Sequence, residues 1–189
     1  MALTVTNQLT SLSTLFSSVK EVYFKAGEVK AADLGGASLS VDYEFPVLED
    51  GVSFDTGAPD VTQIKLTTGK IWTQKTKRGD SDISFNVATV DDGVNKLLMN
   101  ATSSSVTGTA GTFLAGETYG GQGYNLDPKV VTGALILYSE DRSTIIALPN
   151  AYIVSSLNAA DSDNPAYFKL VVTPRANTEG DEIFILKKN

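Results

Sequence analysis

The chain has 189 residues, 42% of them hydrophobic and 20% charged, which is enough apolar material for a core and far from the composition of a disordered chain. It contains no cysteine and no histidine, so disulfides, thiolate or imidazole metal sites, and catalysis by either side chain are excluded. With 15 basic against 22 acidic residues the formal charge is −7, the wrong sign for a surface that grips a phosphate backbone.

The opening segment "MALTVTNQLTSLSTLFSSVKEV" has no basic n-region and no unbroken apolar core, and no apolar run elsewhere approaches membrane-spanning length. A soluble protein that starts at its own Met is expected, with no membrane partner. Leu9, Leu12, Leu15, Phe16 and Val19 fit one helical face, while the Ser and Thr content fits an extended arm equally well, so residues 1–19 read as an N-terminal arm or helix.

Further on, "SLSVDYEF" places Leu39, Val41, Tyr43 and Phe45 opposite Asp42 and Glu44, and "TQIKLTT" places Ile64 and Leu66 between polar neighbours. Both read as half-buried antiparallel strands. Residues 46–61, with two prolines and Gly-containing turn signals, read as a long loop that includes Glu49, Asp50, Phe54, Asp55 and Asp60. "IWTQKTK" and "DISFNVATV" alternate on either side of "KTKRGDSD", which predicts a hairpin with a basic tip at Lys75, Lys77 and Arg78. The Arg-Gly-Asp tripeptide within it is read as the turn and not as an adhesion signal, because three residues match by chance. Trp72 is assigned to the core, as strand aromatics usually are.

Asp91 and Asp92 then offer an N-cap, and Val94, Leu97, Leu98 and Ala101 recur at helical spacing, predicting one short amphipathic helix over about residues 91–101 packed on the sheet. Residues 102–128 read as a second long loop. It carries Phe113, Leu114, Tyr119 and Tyr124, aromatics and apolars that a flexible linker would not need, so it is expected to order against a neighbour. Four strands follow in "VVTGALILYS", "STIIALPNAYIVSSL", "AYFKLVVTP" and "DEIFILKK".

No arrangement predicts catalysis. Asp161 and Asp163 of "DSDNP" serve a turn before Pro165 and lack the glycine and distant glutamate of a calcium loop. "GGQG" at 120–123 has no following GKS or GKT and reads as a mobile loop. No cofactor or metal is expected. The reading is a single domain, mainly β: an antiparallel β-sandwich or half-barrel with one short helix and two long loops. Its many strand edges suit self-assembly, in which neighbouring subunits cover them.

The order of the hairpin "GKIWTQKTKRGDSDISFNV", the helix "VDDGVNKLLMN" and the run from "VVTGALILYSEDRS" to "AYFKLVVTP" resembles the major tail tube proteins of long-tailed bacteriophages over about residues 36–189. That resemblance implies a virion structural protein made in the host cytoplasm, not an enzyme, whose six-fold rings stack into a tail tube around a channel for DNA ejection. It also implies other tail proteins as partners, with only transient, non-specific passage of DNA. Residues 46–61 then fit a loop reaching the adjacent ring, and residues 102–128 an arm on a lateral neighbour. Asp42 and Glu44 become candidates for the channel wall, where negative charge avoids binding phosphates. Lys70 and the basic tip are expected away from the bore, against acidic loops of the next ring. Two other classes remain open: another phage ring or decoration protein, such as a tail terminator or capsid decoration protein, and a monomeric adhesion or glycan-binding module.

Overall fold

The computed structural model describes residues 16, 18–36, 38–88, 91–109, 118–158 and 165–188, with backbone alone at 50, 107–109, 118 and 119. The fold is mainly β and antiparallel, as expected. Among the described residues the order is β1 (Val19–Ala26), α1 (Ala31–Leu34), β2 (Tyr43–Phe45), β3 (Val47–Asp55), β4 (Asp60–Lys65), β5 (Ile71–Lys77), β6 (Asp82–Val87), α2 (Asp92–Leu98), β7 (Asn100–Thr109), β8 (Thr118–Asn125), β9 (Val130–Ser139), β10 (Thr144–Asn158), β11 (Tyr167–Arg175) and β12 (Phe184–Lys187). Hydrogen bonds join β2-β1-β9-β10-β11-β6-β3 in that order, with β12 added to β10, while β4–β5 and β7–β8 form separate ribbons. The main sheet is one hydrogen-bonded path rather than two facing sheets, which is the half-barrel alternative of the two expected. The chain groups into two compact units: Met1–Glu49 with Thr132–Ala151 and Pro174–Asn189, and Asp50–Val131 with Tyr152–Thr173.

In the first unit, β1 lies between β2 and β9. Period-two alternation buries Val22 and Phe24 of β1, which pair with Leu137 and Leu135 of β9. Phe24 also stacks on Phe45 with ring centroids 5.9 Å apart. Gly133 is required beneath that ring, since a Cβ there would lie 2.5 Å from Phe24 Cε2 and 2.4 Å from the Lys25 carbonyl oxygen. Residues 134–137 are buried consecutively, which marks β9 as covered on both faces. A loop around Asn177 closes this unit. Its buried amide donates to the Val29 carbonyl at 3.1 Å, and its Oδ1 accepts from the backbone N–H groups of Glu179 and Asp181.

The connection from β9 to β10 is held by the Asp141 carboxylate. Its Oδ1 accepts from the Ser139 hydroxyl at 2.6 Å and from the Ser143 N–H at 3.0 Å, while Ser139 Oγ accepts from the Thr144 N–H. These bonds, led by the one from Ser139, lower the Asp141 pKa from 3.8 to about 2. A carboxyl that is more acidic in the folded than in the unfolded chain adds stability above its unfolded pKa and loses it as pH falls toward about 2. Thermal melts of Asp141→Asn from about pH 5 to about pH 2 are therefore expected to fall less steeply than those of the wild type. Parallel curves would remove Asp141 from the acid limb.

In the second unit, β6 and β11 pair Ile83, Phe85 and Val87 with Val172, Leu170 and Phe168, and all six side chains are buried. The face of β6 is the one expected. Helix α2 adds Val94 and Leu98 to the buried set. Asp91 caps it as expected, its Oδ1 accepting from Gly93 N at 2.7 Å and Val94 N at 3.2 Å. At the other end Lys129 Nζ donates to the carbonyls of Lys96 and Met99, and Ser155 Oγ to that of Leu98, so these C-terminal carbonyls are satisfied by side chains. Asp91→Ala is expected to cost about 1 kcal/mol in chemical denaturation. A change below a few tenths would show that the cap is idle.

Several sequence expectations are corrected. Helix α2 ends at Leu98, because the backbone turns extended at Met99; Leu97 is half-buried, and Ala101 is an exposed residue of β7 opposite Tyr124. The strand expected over 38–45 is only β2, with Val41 37% exposed ahead of it. Residues 46–61 are not a loop, since they carry all of β3 and the start of β4. Residues 102–128 likewise carry most of β7 and all of β8, so "GGQG" lies in a strand. Val19 begins β1 and does not extend a helix, and β1 and α1 have no counterpart in the sequence reading. The rest of the expected N-terminal arm, except Phe16 and Ser18, lies outside the described residues, as do Asp161 and Asp163.

Candidate functional site

Among the described residues the β4–β5 ribbon stands apart from the main sheet and is exposed along nearly its whole length. Its partners run from Asp60↔Lys77 to Ile64↔Thr73 and then slip to Lys65↔Ile71, which leaves Trp72 as a bulged residue without a partner. Residues 66–70 form the turn, closed by Leu66 N to Lys70 O at 2.8 Å and Gly69 N to Leu66 O at 2.9 Å, with Gly69 at φ 80°. Every residue of β4 and all but Thr73 of β5 are exposed. Six strand residues reach about 20 Å, so this is a substantial two-stranded element without a core of its own.

Its exposed side chains are large and apolar. Val61, Ile64, Leu66, Ile71 and Trp72 are between 41% and 69% exposed, with Trp72 the highest, so the assignment of Trp72 to the core is corrected. Four of the five lie at the turn end. By register Ile64 and Ile71 fall on opposite faces, so the exposed apolar side chains wrap the turn end of the ribbon, and exposed apolar surface gathered in one place suits a protein-interaction site. The same element carries Lys65, Lys70, Lys75 and Lys77, with Arg78 after it and Asp60 as its only acid, on a chain of net charge −7. An apolar tip on a cationic stem is therefore the site's electrostatic character.

The stem is fastened where it leaves the main sheet. Residues 56–59 lead into β4 and 78–81 lead out of β5, and their backbones cross in close contact. A Cβ on Gly79 would lie 1.9 Å from the Ala58 carbonyl oxygen, and one on Gly57, at φ 81°, would lie 2.3 Å from that of Asp80. Asp55 Oδ1 accepts from Gly57 N at 2.8 Å and fixes the entry to the crossing. The Arg78-Gly79-Asp80 tripeptide is therefore part of this crossing and not the turn of a β5–β6 hairpin. β5 pairs with β4 and β6 with β11. Lys75, Lys77 and Arg78 accordingly stand at the foot of a ribbon and not at its tip.

The β7–β8 ribbon has a second irregularity. Its register shifts between Ala101 and Ser105, where Gln122 Nε2 donates to the Thr102 and Ser104 carbonyls, and Gly123 leaves room for Thr102 Oγ1. Val106 and Leu126 are 65% and 84% exposed beside it. Tyr124 is half-buried, and its hydroxyl is buried without a hydrogen-bond partner; burial raises its pKa. Tyr119 lies in β8 with its side chain outside the described residues, as Phe113 and Leu114 lie entirely.

The first unit contains a cleft of about 390 Å3. Ile136, Ile145, Leu186, Leu39 and Val41 line it, with Tyr23 and Tyr138 set edge to face at 5.7 Å between centroids. Glu21, Asp33 and Arg142 supply its charges. Arg142, at φ 54°, forms an ion pair with Glu21, which also accepts from the Tyr23 hydroxyl at 2.9 Å. These two bonds hold the Glu21 carboxyl below its usual range, and burial together with the Glu21 hydrogen bond pushes Tyr23 up to about 12. The Tyr23 hydroxyl serves as a donor to Glu21.

The other sequence-predicted residues scatter along the chain. Asp42 and Glu44 are both exposed, and the Asp42 carboxylate accepts from Ala26 N at 2.7 Å, bracing the start of β2. Glu49 and Asp55 are exposed on β3, Phe54 is half-buried there, and Asp60 opens β4. The side chain of Asp50 lies outside the described residues. Among the described residues no group of three or more acidic side chains is placed to hold a metal, and no helix is long and apolar enough to cross a membrane.

No protein family, curated protein or solved structure matches this chain at a significant level.

Proposed function

We propose that the chain is a virion structural protein, a tail tube subunit whose rings, six-fold by the resemblance, stack into the channel for DNA ejection. The carrying observation is the β4–β5 ribbon, which exposes five large apolar side chains on a cationic stem and has no core of its own. Such an element is stabilised by laying its tip on another protein, and an acidic chain offers the complementary surface. A contact between two different surfaces of one protein closes into a ring where its rotation allows and otherwise propagates into a filament, so lateral contacts of the first kind and stacking contacts of the second together build a tube. The role is structural and not catalytic, its site is the virion tail after synthesis in the host cytoplasm, and other tail proteins terminate the tube.

Within this reading Glu44 is the clearer of the two channel-wall candidates, because Asp42 is committed to Ala26. Glu44→Lys is expected to leave assembly intact and lower infectivity, since a basic wall retains phosphates. Normal infectivity would remove Glu44 from the wall.

Negative-stain images of the purified protein test the function itself. Stacked rings or tubes support it, whereas closed single rings or trimers turn it toward a terminator or decoration protein. A monodisperse monomer at high concentration supports the second reading, a glycan-binding module, which the 69% exposure of Trp72 favours. The aliphatic company of Val61, Ile64, Leu66 and Ile71 fits a protein partner better than a sugar.

A further inference from the structure

We propose that the Trp72 tip of the β4–β5 ribbon docks into the Tyr23–Tyr138 cleft of a second copy of this chain. This rests on the head-to-tail assembly proposed above and names its two contact surfaces. Shape is the first argument. Trp72 is bulged out of register and is the most exposed large apolar residue of its ribbon, whereas the cleft is a concavity of about 390 Å3, at the lower end of the volumes that enclose small ligands. That size suits one large aromatic side chain with part of its flanks.

Chemistry is the second argument. The cleft has an apolar lining that includes buried Ile136 and exposed Val41, and Tyr23 and Tyr138 form an aromatic wall on which an indole can pack edge to face. Aromatic anchors in such pockets dominate interface energetics. Charge is the third. Lys65 and Lys70 flank the tip, while the cleft carries Asp33 and Glu21, and Arg142, the one cation among its described lining residues, is already paired with Glu21. The turn that holds Arg142 adds Glu140 and Asp141. The lysines of the tip therefore meet a lining of formal charge −1, two acids against one cation, with two further acids in the adjoining turn, and this sign favours their approach.

Trp72 is the chain's single tryptophan, so its fluorescence reports the contact directly. Raising the wild-type concentration through the assembly range is expected to shift the emission to the blue and to reduce acrylamide quenching severalfold. Val41→Arg, at an exposed cleft position, is expected to abolish both changes and weaken association about tenfold or more. Trp72→Ala keeps the cleft and Val41→Arg keeps the tip, so the two mixed form a 1:1 complex although neither polymerises alone. Wild-type tubes with unshifted emission, or a Val41→Arg protein that assembles normally, would overturn this contact and leave the tube reading standing. A wild type that stays monomeric throughout would overturn both. A blue-shifted emission independent of concentration would also overturn the contact.

Discussion

Gly79→Ala is expected to destabilise the chain by about 3 kcal/mol or more and to disorganise the foot of the β4–β5 ribbon. The added methyl would stand 1.9 Å from the Ala58 carbonyl oxygen, and the obstacle is backbone, which cannot rotate away as a side chain does. On the other side of the crossing Gly57 is fixed as well, at φ 81° and 2.3 Å from the Asp80 carbonyl oxygen, so neither chain has room to yield. Gly69→Ala is the control. It has a left-handed backbone like that of Gly57, at φ 80°, but nothing within 4 Å, so it carries backbone strain without a clash and should cost only about 1 to 2 kcal/mol. Chemical denaturation of the two variants distinguishes the effects. Equal midpoints would mean that the crossing is not packed as described.

Replacing Ile64, Leu66 and Ile71 together with threonine is expected to leave the folded subunit as stable as the wild type yet weaken its association about a hundredfold or more. All three are between 41% and 52% exposed, so their removal leaves no cavity, and threonine keeps the β-branched strand preference at Ile64 and Ile71. The turn is held by backbone bonds between Leu66, Gly69 and Lys70, which the substitutions do not touch. A loss of assembly with unchanged melting places the apolar tip in the interface. Retained assembly would show that the exposed patch is incidental, and a large loss of melting temperature would show that it is covered within its own subunit.

How far the sequence could be read depended on what each signal specifies. Alternation and apolar density specify faces, and they were sufficient for β9 to β12 and for the buried Ile83–Phe85–Val87 face of β6. They do not specify partners. Two runs separated by Arg78–Ser81 looked like a hairpin, although "TTGK" at 67–70 supplies the shorter connection that β4 and β5 use. Glycines caused the loop errors for a related reason. Gly51 in β3 and Gly123 in β8 are present because Asn86 and Thr102 approach closely, and a local reading takes them for flexibility. The alternation of "VKEVYFKA" marks β1, but the helical spacing from Leu9 to Val19 overlaps its first residue and competes with it. Trp72 failed differently: strand aromatics are buried when something covers them, and nothing in one chain's sequence says whether the cover is the chain itself or a neighbour. The ribbon and the cleft are both invisible to motif reading, because each is made of ordinary residues distinguished by exposure.

Sedimentation velocity over a concentration series, at low and at raised salt, tests the central claim that the acidic chain assembles head to tail through its cationic apolar ribbon. The account predicts species that grow past any small closed oligomer as concentration rises, retreating as salt screens the lysines. A single monomeric boundary at every concentration, or one closed oligomer indifferent to salt, would contradict it.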